Sequence, residues 1–90
     1  MNKVFLSGKI GKVPEVAYTP KGRKIVTFPM SVAEGGFDID VIGSGDALPS
    51  EVQKTMGGSV LVAGELIRAK LKSRDVLRLK ASKILWMEDY

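Results

Sequence analysis

The run Met1-Asn2-Lys3-Val4-Phe5-Leu6-Ser7-Gly8-Lys9-Ile10-Gly11-Lys12, continued by Pro14-Glu15-Val16-Ala17-Tyr18-Thr19-Pro20-Lys21-Gly22, decides how this chain is read. From Lys3 to Ile10 the residues alternate. Val4, Leu6, Gly8 and Ile10 fall on one face of a strand, and Lys3, Phe5, Ser7 and Lys9 on the other. The first set is the core face. Phe5 is therefore an aromatic side chain on the outward side, placed for a subunit contact or a ligand. Gly8 and Gly11 permit a sharp bend where one strand serves two sheets. Thr19-Pro20-Lys21-Gly22 reads as a turn with Pro preset at its second position.

A second strand, Lys24 to Val32, directs Val26, Phe28, Met30 and Val32 inward. Pro29 falls on the outward parity and cannot donate to a ladder, which predicts an edge or a bulge there. Glu34-Gly35-Gly36 closes a tight hairpin into a third strand, Phe37 to Ile42. Its inward set is Phe37, Ile39 and Val41. Asp38 and Asp40 then face solvent, since burying an unpaired carboxylate costs several kcal/mol. Gly43-Ser44-Gly45-Asp46 reads as a loop and helix cap. Leu48, Val52 and Met56 follow at helical spacing, with Pro49 in the first turn and Gly57-Gly58 at the end, predicting one short helix.

A fourth strand, Ser59 to about Leu71, buries Val60, Val62, Gly64 and Leu66. A turn at Lys72-Ser73-Arg74-Asp75 leads to a fifth, Val76 to about Met87, with Leu77, Leu79 and Ala81 inward and Arg78 and Lys80 outward. Ile84 and Leu85 break this alternation. The result is an all-β domain of five strands with one short helix between the third and fourth, the element order of a small five-stranded barrel.

The 90 residues make one domain, 1–90, without repeat or linker. No apolar run approaches the roughly 18 residues that span a bilayer, and the chain enters a strand directly rather than through a secretory leader. A cytoplasmic protein without membrane contact is expected. There is no cysteine and no histidine, hence no disulfide framework, thiolate metal site or imidazole proton carrier. Asp38, Asp40 and Asp46 are too few to hold a hard cation. The glycine-rich stretches match neither a phosphate loop nor a dinucleotide fingerprint. Neither an enzyme, a metal nor a cofactor is implied.

Charge points to a polyanion. Fourteen Lys and Arg stand against ten Asp and Glu, a net charge of +4. The cations cluster as Lys12, Lys21, Arg23 and Lys24 around the first turn, and as Arg68, Lys70, Lys72, Arg74, Arg78 and Lys80 on the last two strands. Single strands are held by cations that track phosphates and by aromatic faces that stack on bases. Tyr18, beside the first turn, either stacks on a base or covers the end of the domain. Phe28 and Phe37 are core by parity, and Trp86 caps one end or an interface.

The opening third resembles bacterial single-stranded DNA-binding proteins and their short relative, primosomal replication protein B. The likeness rests on Asn2-Lys3-Val4, Gly8, Gly11-Lys12, Pro14-Glu15-Val16, Tyr18-Thr19-Pro20 and Gly22. Further on it rests on Val41-Ile42, Ser44-Gly45, Gly58-Ser59-Val60 and Val62-Ala63-Gly64-Glu65-Leu66. The resemblance implies an oligonucleotide/oligosaccharide-binding (OB) fold. It also implies single-stranded DNA binding in replication, repair or restart, with RNA a further ligand class, and a homodimer or homotetramer paired through the first strand at Lys3, Phe5 and Ser7. Replication or primosome proteins are the partners it implies. The family's stacking aromatics are largely missing: its phenylalanine at the end of strand three falls on Ile42 or Gly43, and its tryptophan after strand four near Leu71. Sequence-independent, largely electrostatic binding follows. The alternative is a protein–protein adaptor of a primosome assembly with weak or lost nucleic-acid affinity.

Overall fold

Alternation over the opening residues becomes a half-buried strand at the edge of a closed sheet. The computed structural model describes residues 1–44 and 58–87, and of Trp86 and Met87 the backbone alone. Six strands follow in chain order: β1 (Val4–Ile10), β2 (Glu15–Tyr18), β3 (Lys24–Val32), β4 (Phe37–Ser44), β5 (Ser59–Leu71) and β6 (Arg74–Met87). The helix expected over Leu48 to Met56 lies outside the described residues. Among the described residues no helix is long and apolar enough to cross a membrane.

The sequence predicts five strands; the sixth, β2, lies in the stretch between the first two, where no strand is anticipated. β1 pairs antiparallel with β5 from Val4↔Gly64 to Lys9↔Ser59, and meets β3 at Lys9↔Ser31 and Ile10↔Met30. β2 pairs with β3 from Glu15↔Thr27 to Tyr18↔Lys24. The crossing of β1 over β3 is close. A Cβ on Gly8 would run into the Ser31 carbonyl and lie 2.8 Å from Met30 Cγ, so only glycine fits. Pro29 sits at the gap between β1 and β2. Its carbonyl accepts the Gly11 N–H at 2.9 Å, and its nitrogen faces the same side, where no ladder donor is required.

β3 pairs with β4 from Ile25↔Ser44 to Val32↔Phe37, β4 runs parallel to β6 over Asp40↔Arg78 to Ile42↔Lys80, and β6 pairs antiparallel with β5. The order β1-β5-β6-β4-β3-β2, with the additional β1–β3 pairing, closes five of the strands into a ring. Ile10, Val26, Phe28, Met30, Val32, Val41, Val60, Val62, Leu79 and Ile84 fill it, none more than 5% exposed. Each such side chain contributes about 1.5–3 kcal/mol by leaving water.

A bulge in β6 explains the broken alternation near its end. Ala63 pairs with Lys83 but Gly64 with Ala81, leaving Ser82 as an extra residue whose hydroxyl donates to the Ala63 carbonyl at 3.0 Å. Parity reverses across it: Leu79 faces inward before the bulge and Ile84 after it, while Leu85 is exposed. A Cβ on Gly64 would collide with the Lys80 carbonyl at this bend.

The β5–β6 turn is shorter than expected. Leu71↔Arg74 and Lys70↔Asp75 are already paired, so the turn consists of Lys72 and Ser73 alone, at φ 51° and 66°. Two left-handed residues are what a two-residue hairpin needs to match strand twist. Asn2 closes the sheet on the β1 side. Its Nδ2 donates to the Leu66 carbonyl at 2.7 Å and its Oδ1 accepts the Leu66 N–H at 3.0 Å, one more rung built by a side chain. Beyond it, among the described residues, residues 68–77 pair only with one another and form a two-stranded arm.

Phe37 and Leu77, expected inside, are 43% and 60% exposed. Their parity is as read, but they stand where the arm leaves the ring. Val4, Leu6, Ile39, Leu66 and Val76 surround them in an apolar depression, with Asp38 at its edge.

Candidate nucleic-acid interface

Three cations from two distant segments line one groove. The turn after β2 is held by Gly22 N–H to the Thr19 carbonyl and Thr19 N–H to the Arg23 carbonyl, both 2.8 Å, and by Arg23 N–H to Thr19 Oγ1 at 3.1 Å. This hairpin sets Arg23 and Lys24 at the start of β3. Register then places Ile25 beside Ser44, and Thr27, Ile42 and Lys80 side by side on β3, β4 and β6. The product is a groove of about 490 Å³, lined by Arg23, Lys24 and Lys80 together with Ile25, Ile42 and Ile67, and completed by Thr19, Gly43, Ser44 and Ala81. Cations around an aliphatic surface can hold phosphates while the flat faces of bases lie against the isoleucines.

The remaining cations named from the sequence fall elsewhere. Lys12, between β1 and β2, and Lys21, at the tip of the turn, are exposed and outside the groove lining. Tyr18 lies opposite Lys24 and is 70% exposed, also outside the lining. Arg78 shares the outer face with Lys80 but is half-buried. Asp40 on β4 and Ile67 on β5 are its cross-strand neighbours, and its Nε is buried without a hydrogen-bond partner among the described residues. A carboxylate beside Arg78 offsets the charge it offers to a ligand.

Arg68, Lys70, Lys72 and Arg74 occupy the arm and its turn. Arg68 pairs with Leu77 and Lys70 with Asp75, which puts both on the opposite face from Arg74, Arg78 and Lys80. The second basic group is therefore divided between two faces, and Lys80 alone of it reaches the groove.

Sequence reading missed Ile25 and Ile67 as residues that line this groove. The signal was available: both are apolar side chains on the outward parity of strands whose inward set is already complete. Ile42 was marked only as the place of a missing phenylalanine.

The residues expected at a subunit contact, Lys3, Phe5 and Ser7, lie exposed on the outward face of β1, with Phe5 70% exposed. Ile10 N–H bonds the Gly58 carbonyl at 3.0 Å, so alternation turns the backbone groups of Phe5 and Ser7 away from β5. From Val4 to Gly8 that edge has no partner strand among the described residues.

Comparison with protein-family models and with curated proteins finds no match. Solved structures do match. The single-stranded DNA-binding protein from Thermus aquaticus is similar at TM-score 0.85 and 24% identity, over 100% of this chain and 42% of that one. The dimeric N-terminal domain of PriB from Thermoanaerobacter tencongensis is similar at TM-score 0.77 and 22% identity, over 98% of each chain. The Plasmodium falciparum SSB, solved in complex with ssDNA, is similar at TM-score 0.79 and 16% identity, over 98% of this chain and 96% of that one. The chain thus spans less than half the length of the Thermus protein it matches. Its fold is the OB fold of SSB and PriB proteins.

Proposed function

We propose that this chain binds single-stranded DNA without sequence preference, as a homodimer or homotetramer acting in replication, repair or restart. The observation that carries the reading is the groove itself, which unites Arg23 and Lys24 of one hairpin with Lys80 of another over an isoleucine surface. Arg23 offers a fork to two phosphate oxygens, and Lys24 and Lys80 act as point charges. Ile25, Ile42 and Ile67 meet base faces, which a duplex keeps stacked inside. RNA shares these features and is a ligand of the same kind.

Three phosphate contacts predict that log K falls against log salt with a slope of about −2, at roughly −0.7 per contact. Fluorescence anisotropy with a short poly-dT and a matched duplex, across a salt series, tests this. Single-strand preference with that slope is the expected result. Equal affinity for the duplex, or no salt dependence, removes the reading.

The edge of β1, which has no partner strand among the described residues, supports pairing with a second copy along Phe5 and Ser7, whose backbone groups point to that edge. Light scattering that finds only monomer at micromolar concentration would discard it. Asp40 beside Arg78, and the lack of an aromatic side chain among the described residues that line the groove, favour a second reading as a primosome adaptor. That reading predicts no single-strand binding even at low salt.

A further inference from the structure

The groove does not end at Lys80. Lys80 and Ala81 also line an adjoining depression, formed with Asn2, Lys3, Gly64, Glu65 and Ser82. The β6 bulge lies here, and it has a consequence for charge. In a regular strand, residues 80 and 83 would face opposite sides. Because Ser82 is extra, Lys80 stands opposite Glu65 and Lys83 opposite Ala63, and both of those β5 residues have the same outward parity. The bulge therefore sets Lys80 and Lys83 on one surface.

That surface carries an aromatic residue, whereas none of the described residues lining the groove is aromatic. Ala63 lies between Lys83 on one side and Phe5 on the other, so the three form one row across β6, β5 and β1. Phe5 is 70% exposed, with Lys3 two residues before it on the same face. Among the described residues, Glu65 is the single acid lining the adjoining depression. The phenyl group stands on the sheet face, whereas the backbone groups of Phe5 face the free edge. In a homodimer paired along that edge, the phenyl group stays on the open sheet face.

Accepting the single-strand reading above, we propose that a strand longer than the groove continues over the bulge onto the outer face of β1, β5 and β6. One base stacks on Phe5, and the flanking phosphates meet Lys3 and Lys83. The two sites form one track with Lys80 at the join. Phe5 is then a ligand-binding residue, and the bulge is what makes the track continuous.

The test compares oligo-dT of about 6 nucleotides, which fills the groove, with one of about 20, which covers the whole track. Anisotropy titrations at low salt use the full chain and its Phe5→Ala, Phe5→Trp and Lys83→Ala variants, with sedimentation velocity on each. Phe5→Ala should weaken the long strand roughly 5- to 150-fold, the loss of one stack, and leave the short strand within about twofold. Phe5→Trp should keep long-strand affinity, and sedimentation should not change. Equal loss on both lengths, no loss on the long strand, or loss accompanied by a change in oligomeric state overturns the proposal. If the unaltered chain binds neither length, the single-strand reading falls and takes the track with it. If it binds both and Phe5→Ala is silent, only the track falls.

Discussion

The two halves of the β5–β6 hairpin share one antiparallel ladder and yet behave as different materials. In the half within the ring, other strands lie beside the pair, and Val60, Val62, Leu79 and Ile84 are at most 5% exposed. In the arm, residues 68–77 keep the same alternation, but Leu77 is 60% exposed and Leu71 48% exposed. Alternation assigns a side chain to a face. Whether that face is dry depends on what lies opposite. The contrast also divides the cations: Lys80, on the ring side, reaches the groove, whereas Arg68 and Lys70 stand on the other face of the arm.

Substitutions that cross this boundary should differ most. Leu79→Ala in the ring should destabilise the fold by about 2–5 kcal/mol in chemical unfolding, because it leaves a cavity. Leu77→Ala, two residues earlier on the same parity, should cost about 0.5 kcal/mol or less. Similar losses for the two would mean that the arm packs as core. For binding, Lys80→Glu should weaken a short dT oligonucleotide about tenfold and lower the magnitude of the salt slope by about 0.7. Arg68→Glu should stay within about twofold, and equal damage from both would abolish the distinction between faces.

The boundary itself is set by Asn2. Asn2→Ala removes two hydrogen bonds to Leu66 and should cost about 1 kcal/mol, with faster amide exchange at Leu66 and outward along the arm. The smallest global effect is expected at the tip. Lys72→Asn with Ser73→Gly replaces two left-handed non-glycine residues by the pair such turns favour. Exchange protection within the arm should rise by about 1 kcal/mol while the unfolding midpoint scarcely moves. A matching rise in the midpoint would make the arm part of the cooperative unit.

Much of the fold was legible because a strand's period is two and one face of each strand had to be dry. Val4, Leu6 and Ile10 on β1, and Val26, Phe28, Met30 and Val32 on β3, stand where alternation put them. Pro29 announced an interruption that proved to be the gap between β1 and β2. The site was less legible. Cations can be counted in a sequence, but which of them share a groove depends on the register of β3, β4 and β6 in the closed ring. Ile25 and Ile67 passed as ordinary strand residues because an outward apolar side chain acquires meaning only from its cross-strand neighbours.

By itself, the sequence of this chain determined the inward sets of β1 and β3, the turns at Thr19–Gly22 and Glu34–Gly36, and the basic character of two hairpins, since these rest on local backbone preference and the period-two burial pattern. Tertiary structure alone decided that the first strand divides between two partners, that Phe37 and Leu77 stay wet, and that Arg23, Lys24 and Lys80 converge. Those outcomes depend on closure of the ring, which brings residues more than fifty positions apart into one register.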